Sequence, residues 1–125
     1  MYQLTRSVLF DAAHQLRDYP GKCANVHGHT YKMVVCIEGE KVSELGILYD
    51  FFDLKRLMQE EIDRLDHHFI NEIVPYNEVN PTAENMAYQI YQTFQHQLAA
   101  QNPQLNLVYV EIWETPNCSA RYSQN

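Results

Sequence analysis

Residues 23–29, Cys23-Ala24-Asn25-Val26-His27-Gly28-His29, decide how the rest of this 125-residue chain is organised. Side chains alternate between the two faces of an extended strand, so His27 and His29 point the same way only on a β-strand. Neighbouring imidazoles are preferred nitrogen ligands of Zn²⁺. A third candidate ligand, His14, lies upstream of this stretch. Three histidines with an open fourth position are typical of a catalytic zinc site.

The same residues also allow a simpler interpretation. A His-x-His pair is common by chance, and Cys23 is equally compatible with a small buried hydrophobic residue. A closed structural zinc site is a further alternative, in which Cys23 would be the fourth ligand. The downstream sequence must therefore decide between a functional site and ordinary core or surface residues.

Composition limits the classes of function. The length predicts one domain, residues 1–125, and 46% of the residues are apolar, as in an ordinary globular protein. No apolar run is long enough for a membrane span and Met1–Leu4 lacks a signal pattern, so we expect a cytoplasmic protein without a membrane partner. The three cysteines fit free thiols in a reducing compartment. The net charge of −7 and the absence of a Lys/Arg run argue against nucleic acid as a partner.

The N-terminal half predicts two strands. Alternating apolar residues predict a strand over Tyr2–Leu16 that carries His14 on its apolar face, and a second strand over His27–Gly39. The segment Arg17–Val26, which contains a Pro-Gly pair, is predicted to be a loop. If the two strands pair antiparallel through this loop, all three imidazoles meet at one end of the sheet.

The C-terminal half predicts two helices and two strands. Asp53 is the predicted N-cap of a helix that runs to about Leu65, and Thr82 that of a helix over Ala83–Ala100. Further strands are predicted at Leu105–Glu114 and at Ala120–Ser123. The order β-β-α-α-β-β predicts an α+β domain, an antiparallel sheet with both helices on one face. Four strands leave two open edges, which favours a homo-oligomer, although a monomer remains compatible with the sequence.

Two further motifs carry chemically useful groups. In Asp66-His67 a carboxylate can orient an imidazole for acid–base work near neutral pH, although a polar helix end explains the pair equally well. His68 is adjacent, and only one of the two histidines can point into a given site. Glu114 ends a predicted strand on the face of Val108, Val110 and Ile112, where a carboxylate can accept two parallel N–H bonds, or simply be solvated. His96 is predicted to face solvent.

Several motifs in one order carry a specific resemblance. The chain resembles the 6-pyruvoyltetrahydropterin synthase family, and within it the 6-carboxytetrahydropterin synthase branch of queuosine biosynthesis. Three residues separate Cys23 from His27, the short spacing of the carboxy-forming branch; the pyruvoyl-forming members have a longer one. The matching stretches cover nearly the whole chain: Phe10–His14, Cys23–His29, Tyr49–Phe51, Leu65–His68, Asn80–Asn85 and Trp113–Thr115.

This resemblance implies a fold, an assembly and a set of roles. The fold would be the tunnelling fold, whose strands join across subunits into a barrel, as a homohexamer of two stacked trimers. Cys23 would act as the proton-abstracting thiolate, and His67, oriented by Asp66, as its acid–base partner. The implied zinc ligands are His14, His27 and His29, and the implied pterin-binding residues are Glu114 and, in a neighbouring subunit's site, Thr82.

The resemblance also implies the reaction. The substrate would be 7,8-dihydroneopterin triphosphate, and the products 6-carboxy-5,6,7,8-tetrahydropterin, acetaldehyde and triphosphate. Candidate cations for the triphosphate are Arg6, Arg17 and Lys22. Two alternatives stay open: the pyruvoyl-forming reaction of the same family, and a zinc- or pterin-binding protein without catalytic activity.

Overall fold

The computed structural model describes residues 1–124, so the last residue of the predicted domain, Asn125, lies outside the described residues. Its elements follow the predicted β-β-α-α-β-β order, with a short 3₁₀ turn before β2 and another before α2. The bounds are β1 Tyr2–His14, β2 His27–Gly39, α1 Phe51–Leu65, α2 Ala83–Gln101, β3 Asn106–Thr115 and β4 Cys118–Tyr122. The predicted α+β class is therefore confirmed.

The four strands form one antiparallel sheet in the order β1-β2-β3-β4. In β1 the even-numbered positions turn inward, so that Phe10, Ala12 and His14 are buried while Asp11 is exposed. In β2 the odd-numbered positions from Tyr31 onward do the same. Both helices pack on this inner face, α1 against β1 and α2 against β3 and β4, and the core lies between helices and sheet.

The N-terminus of α1 corrects one prediction. Asp50, not Asp53, is the N-cap: its backbone is extended, and its carboxylate accepts the N–H of Phe52 at 2.7 Å. Asp53 lies in the first turn, where it forms an exposed ion pair with Arg56. Both aspartates suit a helix start by residue type, and the backbone conformation of the preceding turn selects the first of them.

Replacing Asp50 by Ala should lower the free energy of unfolding by about 1 kcal/mol, because an amide of the first turn loses its acceptor. Asp53→Ala is the matched control and should cost about 0.5 kcal/mol or less, since it removes only an exposed ion pair. Urea denaturation followed by circular dichroism measures both values. A larger loss for Asp53→Ala would contradict the assignment of the cap.

The second helix starts as predicted. Thr82 caps α2 by accepting the N–H of Asn85 at 3.1 Å. The buried side chains of α2 include the whole apolar stripe predicted from the sequence: Met86, Ala87, Ile90, Tyr91, Phe94 and Leu98. Among residues 1–124, no helix is long and apolar enough to span a bilayer.

Strand β1 ends two residues earlier than predicted. After His14 the backbone bonds to side chains of the segment before α2 instead of to another strand: the N–H of Gln15 donates to Asn71, and the N–H of Arg17 to Asn80. The sheet ladder therefore stops at the histidine, and the chain beyond it is held by amide side chains that lie far away in sequence.

The segment after α1 covers part of the outer edge of β1. The N–H of His67 donates to the carbonyl of Asp11, the N–H of Ala13 donates to the carbonyl of His68, and Phe69 forms a parallel bridge with Ala13. An uncovered edge strand has unpaired N–H and C=O groups that can pair with another chain and cause aggregation. This segment closes that edge at its histidine end.

Candidate metal centre and active site

Three imidazoles meet at one end of the β1–β2 pair. Cross-strand register places His14 opposite His27, and His29 lies two residues further along the same face of β2. The predicted antiparallel pairing is thus observed. One ring nitrogen from each of the three side chains lies within 4.8 Å of the others. Their ring centroids are 4.5 to 5.0 Å apart.

Backbone carbonyls fix the protons of two of these rings. The Nδ1–H of His14 donates to the carbonyl of Pro81 at 2.8 Å, and that of His27 to the carbonyl of Asn25 at 2.8 Å. In a neutral imidazole the other nitrogen then carries a lone pair. The two Nε2 atoms lie 2.9 Å apart, and the buried Nε2 of His29 has no hydrogen-bond partner among the described residues.

Burial favours the neutral form of two of these rings, His14 and His29. It lowers the pKa of His14 and outweighs the hydrogen bond to Pro81, which raises it; burial likewise lowers the pKa of His29. Two lone pairs that face each other at 2.9 Å repel unless a proton or a cation lies between them. Three convergent nitrogen ligands, two with their second nitrogen bonded to a carbonyl, fit Zn²⁺.

The cluster leaves other candidate ligands outside. Within residues 1–124, neither Cys23 nor Glu114 has an atom within 4.8 Å of all three ring nitrogens. A closed structural zinc site needs a fourth protein ligand, whereas a catalytic site keeps that position open. The arrangement therefore favours an open site.

Glu114 lies beside the histidines at the end of β3. Its carboxylate is 4.0 Å from Nε2 of His14, and its side chain is 28% exposed, whereas that of His14 is 1% exposed. The strand pattern had predicted this inward face. One oxygen faces the cluster while the side chain stays partly open to solvent, so the carboxylate can bind a ligand that enters from outside.

Asp66 and His67 lie at the free edge of β1, beside the outward-facing Asp11. The carboxylate of Asp66 accepts the backbone N–H of Asp11 at 2.9 Å and lies 3.1 Å from Nδ1 of His67. The Asp11 N–H, followed by His67, lowers the pKa of Asp66. The carboxylate of Asp11 completes a second cluster within 4.8 Å, on the outer face of β1. This pair therefore does not face the histidines of its own chain.

His67 adopts a left-handed backbone conformation with φ of 59°. That conformation is unusual for a residue other than glycine, and it turns the His67 imidazole out to solvent, where the side chain is 77% exposed. The neighbouring His68 instead donates from its ring to the carbonyl of Asp66. The two adjacent histidines are thus distinguished by backbone geometry, which the sequence left open.

Cys23 and Thr82 flank the histidine end of the sheet. Half-buried Cys23 lies in the 3₁₀ turn Lys22–Ala24, and its carbonyl accepts the N–H of Leu16 at 2.8 Å, which closes the loop between β1 and β2. Thr82 follows Pro81, whose carbonyl holds His14. As the cap of α2, its hydroxyl oxygen already accepts one N–H, so the hydroxyl proton is left to donate.

The three candidate cations for a triphosphate differ in availability. Arg6 lies eight residues before His14, roughly 26 Å along an extended strand. Arg17 donates from Nη2 to the carbonyl of Tyr76 at 2.6 Å and to that of Asn71 at 3.4 Å, so it holds the segment before α2. Lys22 is exposed and adjacent to Cys23. Of the three, only Lys22 is both close to the thiol in sequence and open to a ligand.

Comparison with known proteins identifies the family. The family model described as 6-pyruvoyl tetrahydropterin synthase matches residues 3–125. The chain belongs to this synthase family. A 6-carboxy-5,6,7,8-tetrahydropterin synthase of Haemophilus influenzae is 30% identical over 99% of this chain and 100% of its own length. The resemblance to the carboxy-forming branch is thereby supported.

Two other relatives carry the pyruvoyl name. A human 6-pyruvoyl tetrahydrobiopterin synthase is 36% identical over 92% of this chain and 86% of its own. The solved structure of a Caenorhabditis elegans 6-pyruvoyl tetrahydropterin synthase is 28% identical, with a TM-score of 0.88 over 99% of this chain and 96% of that one. The family and its fold are therefore shown, while both product names occur among the relatives.

The sequence did not reveal the hydrogen-bond partners that hold the candidate site residues in place. The carbonyls of Asn25 and Pro81 orient two histidines, and Asp11 supports the Asp66–His67 pair. Backbone carbonyls leave no residue-type signal, and the contact between Asp11 and Asp66 spans 55 residues. The stretches Phe10–His14, Cys23–His29 and Asn80–Asn85, quoted for the resemblance, contain these residues but give them no role.

We expect the protein as purified to hold about one zinc ion per chain, because three imidazoles and an open fourth position are sufficient to bind Zn²⁺. His29→Ala should lose that metal, since it removes a buried ring nitrogen that has no other described partner. His96→Ala is the matched control, because His96 is exposed on α2. Elemental analysis after dialysis measures both. Full retention of zinc by His29→Ala would contradict this assignment.

Proposed function

We propose that this chain is a zinc-dependent carbon–carbon lyase that converts 7,8-dihydroneopterin triphosphate into 6-carboxy-5,6,7,8-tetrahydropterin, acetaldehyde and triphosphate. The reaction would serve queuosine biosynthesis in the cytoplasm. Family membership supports a pterin synthase, and the three-residue spacing between Cys23 and His27 favours the carboxy-forming branch. The convergence of three imidazoles beside Glu114 is the observation that carries the proposal.

The groups around the histidine cluster suit such a substrate. A zinc ion held by His14, His27 and His29 would supply Lewis-acid polarisation of the substrate's side-chain oxygens. Glu114 can accept two parallel N–H bonds from the ring edge of the pterin, which would fix its orientation. Thr82, which the resemblance assigns to a neighbouring subunit's site, has a hydroxyl proton free to donate to a pterin atom there.

Cys23 is the candidate base. Only the thiolate of a cysteine can take a proton, and a nearby cation favours that form. Cys23 lies in the turn that leads into His27, half-buried and without a disulfide. Cys23 is therefore close in sequence to the histidine cluster but is not one of its ligands. A thiolate that takes a proton from the substrate must not be bound to the metal.

The Asp66–His67 pair would act on the site of a neighbouring subunit. It lies beside Asp11 on the outer face of β1, whereas the three histidines lie on the inner face. One chain therefore does not bring the proposed acid–base partner to its own Cys23. An assembly in which this outer face meets the histidine end of another copy would complete the site.

Features of the single chain favour such an assembly. Within residues 1–124, β1 and β4 are edge strands, and on the edge of β1 that faces away from β2 no strand pairs with it before Asp11. An apolar depression next to this edge exposes Tyr2, Ile47, Phe51 and Phe52. Open edges and exposed apolar side chains are typical of interface surfaces. A homohexamer of two stacked trimers, with the sheets joined into a barrel, is the assembly we propose.

Incubation of the zinc-loaded protein with 7,8-dihydroneopterin triphosphate tests the reaction, with the products identified by mass. We expect a 6-carboxy pterin together with acetaldehyde. A 6-pyruvoyl product would leave the proposed roles of the site residues in place but would assign the chain to the pyruvoyl-forming branch. The human relative at 36% identity favours that alternative. Zinc-loaded protein without turnover would instead favour the binding-protein alternative.

Cys23→Ala should lower turnover by roughly 10²- to 10⁴-fold, the usual contribution of a positioned acid or base. Zinc content should stay unchanged, because Cys23 lies outside the histidine cluster. Steady-state kinetics and elemental analysis measure the two quantities. Cys118→Ala is the matched control, since that thiol is exposed at the start of β4. Equal turnover in the two variants would contradict the role of Cys23.

Mixed oligomers test whether the site is shared. Cys23→Ala and His67→Ala subunits, each inactive alone, should regain activity when they are unfolded, mixed and refolded together. Such complementation arises only if Cys23 and His67 act from different chains. Refolded single variants are the control, and a mixture as inactive as its components would place both residues in one chain's site.

A further inference from the structure

Two asparagine side chains replace a strand partner beyond His14. Oδ1 of Asn71 accepts the N–H of Gln15 at 2.8 Å, and its Nδ2 donates to the carbonyl of Gln15 at 2.8 Å. Asn80 repeats this with Arg17, at 2.9 Å and 3.3 Å. Each side-chain amide thus satisfies both backbone groups of one residue, as a neighbouring strand would.

Asn80 is also fixed through its own backbone. Its carbonyl accepts the N–H of Thr82 at 2.8 Å and the Nδ2 of Asn85 at 2.9 Å. Its side chain is bound to Arg17 at the same time. Four hydrogen bonds therefore hold this one residue, and they tie the chain after His14 to the start of α2.

The next residue is the one that contacts the histidine cluster. Pro81 is buried, and its carbonyl accepts the Nδ1–H of His14, which is buried as well. The Pro81 carbonyl shares its planar peptide unit with the N–H of Thr82, which donates to the carbonyl of Asn80. The position of the Pro81 carbonyl therefore depends directly on Asn80.

We propose that Asn80 is a positioning residue for the metal centre: by holding the Pro81 carbonyl against Nδ1 of His14, it sets the tautomer in which Nε2 is the free ligand atom. This inference rests on the metal site of the proposed function. Partners that bond the second nitrogen of a metal-binding histidine fix its tautomer and ring orientation. Asn80 acts one residue further out, through the peptide that carries such a partner.

Asn80→Ala tests this role by zinc affinity, measured in competition with a chromophoric chelator. We expect the affinity to fall on the order of 10-fold, at the lower end of what loss of an outer partner costs. Asn71→Ala is the matched control: it removes the same kind of amide bridge from the same extension of β1, but does not border Pro81. We expect Asn71→Ala to be destabilised in urea and to keep wild-type zinc affinity.

The ring nitrogens of His14 provide a second readout, independent of overall stability. ¹⁵N NMR of the metal-free protein should show one tautomer in the wild type, with the proton on Nδ1, and a mixture in Asn80→Ala. Asn85→Ala removes one of the four bonds, from a half-buried side chain in the first turn of α2, and should shift both quantities in the same direction by less. It serves in place of Asn80→Ala if that variant fails to fold.

The outcomes separate this inference from the proposed function. If the wild-type protein binds no zinc, both the metal site and the proposed function are overturned. Zinc binding by the wild type, with unchanged affinity and a single tautomer in the Asn80→Ala and Asn85→Ala variants, overturns the role of Asn80 alone. An equal loss of affinity in Asn71→Ala would also overturn it, because the effect would then follow from loosening the extension of β1 in general.

Discussion

The antiparallel register of β1 and β2 is the constraint on which the rest of the molecule depends. It places His14 opposite His27, and with them His29 on the same face. Because side chains alternate with a period of two, a slip of β2 by one residue against β1 would turn His27 and His29 to the face opposite His14. Tyr31 and Met33 would leave the core with them, so the core and the site are specified by the same pairing.

That shared dependence explains why the meeting of the three histidines could be predicted from sequence. The apolar alternation that identifies β1 and β2 also carries the histidines, and the apolar stripes of α1 and α2 place both helices on the inner face. Local patterns of this kind need no knowledge of distant residues. Glu114 was placed on the correct face by the same argument.

What escaped prediction depends on contacts between distant residues or on backbone conformation. Asp50 and Asp53 are equivalent as residue types, and only the extended backbone at Asp50 makes it the cap. The end of β1 is set by Asn71 and Asn80, which lie more than fifty residues away. The positive φ of His67, which separates it from His68, has no marker such as glycine in the sequence.

The segment that runs beside Asp11 and Ala13 leaves only the N-terminal part of the β1 edge free to pair with another strand. Any strand that extends the sheet at this edge has room only from Tyr2 to Phe10, because the backbone groups beyond are already bonded to residues 67–69. A neighbouring strand must therefore run out before it reaches the histidines. However the sheet is extended along β1, the rim next to His14 is left to loops, which can differ in shape between relatives without disturbing the strands.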